Sequence, residues 1–161
     1  MGNGDIPPGK ISMTAPDSLI DTNILGYLFD ADAPAKRAVS RDILAPCWKG
    51  KVRYAVSVQN LAEFTVVVTE KVANPMPGSV VKKFIATILR FDGWEVISCQ
   101  GSTVVKALEI KEKHGLHFWD ALLVATMQEH GIQRVYTEDK GFGKVPGCIP
   151  VNPYQDAPRP P

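Results

Sequence analysis

The chain has 161 residues, of which 45% are hydrophobic and 22% charged, with a formal net charge of +1. That length fits one domain with a substantial core, and the balance excludes bulk disorder, a fibrous repeat and a uniformly basic nucleic-acid-coating surface. The three cysteines, Cys47, Cys99 and Cys148, are odd in number and lack a CxxC spacing, which argues against a disulfide framework or a zinc knuckle and fits reduced thiols.

Residues 1–16 lack the apolar core of a signal peptide, and Ile6 breaks the myristoylation pattern, so they are expected to form a flexible leader, with Met13 as an alternative start. No apolar run approaches the ~20 residues of a membrane span. The expectation is a soluble, cytoplasmic protein with no membrane partner.

The first predicted strand covers 19–21 within SLIDTNIL, followed by a short polar turn and a helix over 24–29, with Thr22 or Asn23 as its cap. Pro34 fits the first turn of a helix reaching about 47, with Ala35, Ala38, Val39, Ile43 and Leu44 inward. The β-branched run 52–58 predicts a second strand, and 59–72 a helix despite the valines at 66–68. After the break at PMPG, 80–91 reads as an amphipathic helix with Val80, Val81, Phe84, Ile85, Ile88 and Leu89 inward. A third strand is expected at 94–97, then a helix at 102–114 with Val104, Val105, Leu108 and Ile110 inward, stopped by Gly115. A helix at 118–130, closed by Gly131, leads to a strand at 134–137 and an edge strand at 148–151. Residues 152–161 form a Pro-rich tail, which leaves 17–151 as the folded domain. Strands alternating with helices imply parallel pairing, so the expected fold is α/β, three layers with helices on both faces of a small, mainly parallel sheet.

Four acids fall where elements meet the carboxyl edge of such a sheet: Asp21 after strand one, Glu63 in the helix after strand two, Asp120 in the first turn of its helix and Asp139 after the fourth strand. Each alone reads as turn or capping chemistry. Glu63 is the exception, because Leu61, Ala62, Phe64 and the valines around it leave little solvent-facing helix, and a partly buried carboxylate needs a cation or metal. Parallel strands bring their carboxyl ends together. Crowded carboxylates repel unless counter-charge is present, and Mg²⁺ or Mn²⁺ supplies it through hard oxygen ligation. Two such ions ~3.5–4 Å apart can activate a water and neutralise a leaving oxygen in phosphodiester hydrolysis.

On IDTNIL (20–25), SVQNLAEF (57–64), FWDALLVAT (118–126) and TEDKGF (137–142), the sequence resembles the PIN-domain nucleases, and among them the VapC-type toxin ribonucleases. The resemblance covers about 17–151. It implies a metal-dependent endoribonuclease, the toxin of a type II toxin–antitoxin pair, with a water nucleophile and products bearing a 5′ phosphate and a 3′ hydroxyl. The family's metal-binding acids map onto Asp21, Glu63, Asp120 and Asp139, and Thr137 and Asn23 map onto positions that orient a carboxylate or water. An RNA substrate, an antitoxin protein with a basic side chain for the acidic pocket, and a homodimer follow from the same resemblance. Glu138 is an additional acid, expected to turn outward. Two other readings compete: a PIN-fold module that binds RNA or protein without catalysis, and an aspartate-nucleophile phosphatase, whose second acid would fall where this chain has Asn23.

His114 and His117 do not read as a metal pair, since Gly115 interrupts the helix that would align them. Trp119 is expected in the core rather than stacked on a base, and Arg37, Arg41, Lys49 and Lys51 on a solvated face rather than on phosphates.

Overall fold

The computed structural model describes residues 14–155. Five strands, β1 (Ser18–Ile20), β2 (Tyr54–Ser57), β3 (Trp94–Ile97), β4 (Arg134–Tyr136) and β5 (Ile149–Val151), form one sheet in the order β3-β2-β1-β4-β5. Every pairing is parallel, with Leu19 opposite both Ala55 and Val135. Six α-helices connect them: α1 (Thr22–Tyr27), α2 (Pro34–Trp48), α3 (Val58–Val66), α4 (Gly78–Arg90), α5 (Gly101–His114) and α6 (Phe118–Glu129). The strand order reverses at β1, so a crevice opens beyond the carboxyl ends of β1 and β4, where open α/β sheets place their ligands.

Strand alternation builds the two core layers. Leu19, Ala55 and Val135 face α5 and α6, packing on Ala121, Leu123 and Ala125, while Ile20, Tyr54 and Val56 face α1 to α4 with Ile24, Phe64 and Ile88. This three-layer arrangement is the one the sequence implies. Helix ends follow their chemistry: Gly115 closes α5 in the left-handed region at φ 66° and Gly131 follows α6 at φ 69°. The π-helical turn Val67–Lys71 continues α3, so the β-branched run stays helical with a wider last turn.

Three expectations are corrected. In α5 the buried positions are Thr103, Ala107 and Ile110, whereas Val104, Val105 and Leu108 are exposed. The smaller stripe lets α5 approach α6 closely, and the larger side chains are left outside. In α4, Val81 and Ile88 are buried but Val80 and Leu89 are exposed. Trp119 is 62% exposed rather than in the core. It sits on the first turn of α6, before the all-round burial that begins at Ala121. Trp119→Ser is therefore expected to lower stability by less than about 0.5 kcal/mol in a denaturant titration, where a buried tryptophan would cost about 3–5 kcal/mol.

The leader 1–13 and the end of the Pro-rich tail, 156–161, lie outside the described residues. Among the described residues no helix is long and apolar enough to cross a membrane, and all three cysteines are free thiols.

Candidate active site

Asp21 lies one residue beyond β1 and is itself the cap of α1, its Oδ1 accepting the Thr22 backbone N–H at 2.7 Å. Neither Thr22 nor Asn23 takes that place, because the chain turns helical at Thr22, two residues before the expected start at 24. Capping accounts for only one of the Asp21 contacts. Oδ1 also accepts from Asn60 Nδ2 at 3.1 Å, and Oδ2 accepts from Thr137 Oγ1 at 2.7 Å and Asn23 Nδ2 at 3.2 Å. Four donors from three segments thus surround one carboxylate. Burial nevertheless dominates and pushes its pKa up to about 6; the Thr137 and Thr22 bonds oppose this, and the negative charges of Glu63 and Asp120 add to it.

Glu63 reaches the same crevice from α3. Its Oε2 accepts from Thr22 Oγ1 at 3.1 Å and its Oε1 from Gln59 Nε2 at 2.9 Å. Gln59 Nε2 also donates to the Trp119 carbonyl at 3.0 Å, tying α3 to the first turn of α6. Asp120 stands in that first turn, and its pKa is raised first by burial and then by the charge of Asp139, with Glu63 adding and His117 opposing. His117 acts on Asp120 as a neighbouring charge. Asp139 is exposed and caps the short 3₁₀ turn Lys140–Lys144 through Gly141 N–H at 2.7 Å. Thr137 is fully buried; its hydroxyl donates to Asp21 while accepting from the Asp139 N–H at 3.0 Å and from Asn23 Nδ2 at 3.3 Å. Glu138 turns away, onto Lys36 Nζ at 2.6 Å, and the same ammonium donates to Tyr27 Oη at 2.8 Å.

The four acids, contributed by four chain segments, are coupled by charge: Glu63 and Asp120 act on Asp21, and Asp139 and Glu63 act on Asp120. Among the described residues no three acid, histidine or cysteine side chains draw close enough to form a ready-made metal cage. Uncompensated carboxylates repel at contact distance, and Mg²⁺ uses one or two carboxylates plus waters. The donor set is all oxygen and suits such an ion. Asn23 Oδ1 fits as well, since it is buried beside Asp21 with no hydrogen-bond partner among the described residues, an acceptor suited to a metal-bound water. A groove of about 730 Å³ leads off from Thr22 and Glu63 past Val66, Lys71 and Trp119.

Thr22, Gln59 and Asn60 take part in this site without having been singled out in the sequence. Asn60 had one available signal: Ser57 stands three residues before it, the spacing of a capping box, and both reciprocal bonds are present.

An all-parallel α/β sheet with acids beside its switch point belongs to the class of open α/β folds that carry their ligand site at that edge. Within that class, the PIN domain family model matches residues 18–147, and the chain belongs to the PIN domain family. Solved structures share the fold. A toxin–antitoxin complex from Klebsiella pneumoniae is 22% identical with a TM-score of 0.56, covering 85% of this chain and 98% of the other. VapC20 of Mycobacterium tuberculosis, a sarcin–ricin loop cleaving toxin, is 21% identical with a TM-score of 0.58, covering 75% and 88%. VapBC2 from Rickettsia felis, bound to a DNA fragment from its promoter, is 18% identical with a TM-score of 0.57, covering 84% and 97%. No curated protein matches the chain.

Proposed function

We propose that this chain is a divalent-metal-dependent endoribonuclease and the toxin of a type II toxin–antitoxin pair, working in the cytoplasm as a homodimer that an antitoxin holds inactive. The observation that carries the reading is that Asp21 and Glu63 share one hydrogen-bond network through Asn60 and Thr22 while Asp120 is coupled to both by charge and Asp139 to Asp120, with the pKa of Asp21 pushed up to about 6 and that of Asp120 raised. A protein keeps such mutually repelling acids at a site where a cation offsets them. VapC20 is named as a sarcin–ricin loop cleaving toxin, and the Klebsiella structure of the same fold is a toxin–antitoxin complex, which supports the biological role.

Asp21, Glu63, Asp120 and Asp139 would hold Mg²⁺ or Mn²⁺. The ion supplies charge neutralisation at the phosphate and a water of lowered pKa. The protein supplies the rest. Thr137 and Asn23 hold Asp21 Oδ2 in place, Thr22 and Gln59 hold the two oxygens of Glu63, and the groove past Trp119 and Lys71 gives a single RNA strand a path with an aromatic face and one cation. Asp120→Asn is expected to reduce cleavage of single-stranded RNA by at least 10²-fold at saturating Mg²⁺. Wild type should lose cleavage in EDTA and regain it with added Mg²⁺. Equal cleavage by wild type and Asp120→Asn, or cleavage that persists in EDTA, would overturn the reading.

A further inference from the structure

Asn60 is 0% exposed and bridges the first turns of α1 and α3. The orientation of its amide is fixed by chemistry. Ser57 N–H can only donate, and it points at Asn60 Oδ1 at 3.2 Å; the Ser57 hydroxyl donates to the same oxygen at 2.6 Å while accepting the Asn60 backbone N–H at 2.9 Å. The NH₂ group must therefore face the other way. One of its hydrogens goes to Asp21 Oδ1 at 3.1 Å and the other to Thr22 Oγ1 at 3.2 Å. Thr22 Oγ1, having accepted there, is left to donate, and it meets Glu63 Oε2 at 3.1 Å. The Asn60 carbonyl lies 3.5 Å from the same hydroxyl, a much longer contact. A single buried amide, with all its hydrogen-bonding capacity in use, thus orders one acid directly and a second through a hydroxyl relay.

We infer that Asn60 is the positioning residue that holds Asp21 and, through Thr22, Glu63 in the geometry that receives the metal ion, an inference that rests on the metal-dependent reading of the site. Aspartate at position 60 would turn an acceptor toward Asp21, and alanine would leave both donors missing. Neither side chain can replace the amide, because only an amide both accepts from Ser57 N–H and donates toward Asp21.

The test is metal binding without RNA, by calorimetry or Mn²⁺ electron paramagnetic resonance on the full chain, beside thermal melts. Ser57→Ala is the control: it removes the hydroxyl of the cap but leaves the Ser57 N–H to orient the amide. Both variants are expected to melt earlier than wild type. Only Asn60→Ala should weaken Mn²⁺ binding, by about tenfold or more, the usual cost of losing a group that orients a metal ligand. In an Asp21→Ala background the Asn60→Ala change should cost less affinity than it does in wild type, because only the relay through Thr22 to Glu63 is left to lose. In wild type, which needs no mutant to fold, the Asn60 side-chain NH₂ resonances should shift on adding Mg²⁺. Folded Asn60→Ala that binds Mn²⁺ like wild type, a loss as large in Ser57→Ala, or NH₂ resonances that ignore Mg²⁺ in a protein that binds it, would each overturn the inference. Wild type that binds neither Mn²⁺ nor Mg²⁺ would remove instead the reading beneath it.

Discussion

Asp21→Asn is expected to abolish RNA cleavage while making the metal-free protein more stable near pH 7.5. The two effects have one origin. Burial and the charges of Glu63 and Asp120 raise the pKa of Asp21 from 3.8 to about 6 in the folded state. When a carboxyl's pKa is raised by folding, the unfolded chain ionises first, so stability falls as pH rises between the two values and stays low above the upper one. That rise corresponds to ~3 kcal/mol at neutral pH if the whole shift acts on stability. Asparagine carries no such loss, and it keeps an oxygen toward the fixed donors Thr22 N–H and Asn60 Nδ2. Its new NH₂ would face Asn23, whose Oδ1 has no partner and can rotate to accept it. Some hydrogen bonding to Thr137 is lost, so the expected gain is about 1–2 kcal/mol at pH 7.5 in EDTA, shrinking toward zero below pH 4. Saturating Mg²⁺ should reverse the order: an ion that binds only the folded wild type adds ~2.7 kcal/mol at a hundredfold excess over its dissociation constant, and the variant should gain much less. Urea titrations at pH 4 and 7.5, with and without Mg²⁺, measure all of this. If the two proteins respond to pH and metal alike, Asp21 is only the cap of α1.

The α/β alternation was readable because each strand is a short apolar run ending in a polar turn and each helix has a stop, as at Gly115 and Gly131. Where the four acids fall relative to the strands was readable because chain order in a parallel sheet dictates which loops share an edge. What could not be read was the choice between competing apolar faces. Helix α5 offers two stripes, Thr103-Ala107-Ile110 and Val104-Val105-Leu108, and hydrophobicity alone favours the second, yet close approach to α6 favours the smaller one. Trp119 misleads in the same way: its type says core, but its place on the first turn of α6 leaves it mostly exposed. Polar partners were the least visible. Gln59 and Asn60 look like ordinary helix-entry residues in QNLAEF, and their roles depend on α1 and α6 arriving from distant parts of the chain. Thr137 and Asn23 were both assigned by resemblance, and no local pattern reveals that their side chains meet.

Thr137→Val is expected to cost both stability and activity, because the valine has nearly the same shape and removes only the hydroxyl. That hydroxyl is fully buried and serves three groups at once, donating to Asp21 at 2.7 Å and accepting from Asp139 N–H and Asn23 Nδ2 at 3.0 and 3.3 Å. Removing it takes the acceptor from the Asp139 N–H and leaves Asp21 Oδ2 and Asn23 Nδ2 with each other, at about 1–3 kcal/mol. It also deletes the larger of the two hydrogen bonds that hold the pKa of Asp21 down, so in EDTA that pKa should climb above about 6 and the fall in stability with rising pH should extend to higher pH. Cleavage should drop about 10–100-fold, the usual cost of losing a group that orients a metal-binding carboxylate. Thr137→Ser separates chemistry from packing: it keeps the hydroxyl and loses a methyl, so it should recover most of the activity while remaining somewhat less stable than wild type. Parallel pH titrations of stability and single-turnover cleavage assays on the two variants decide the matter. A serine variant as inactive as the valine one would mean that the methyl, and with it the fit of Thr137 in the core, is what the site requires, and that the bond to Asp21 is incidental.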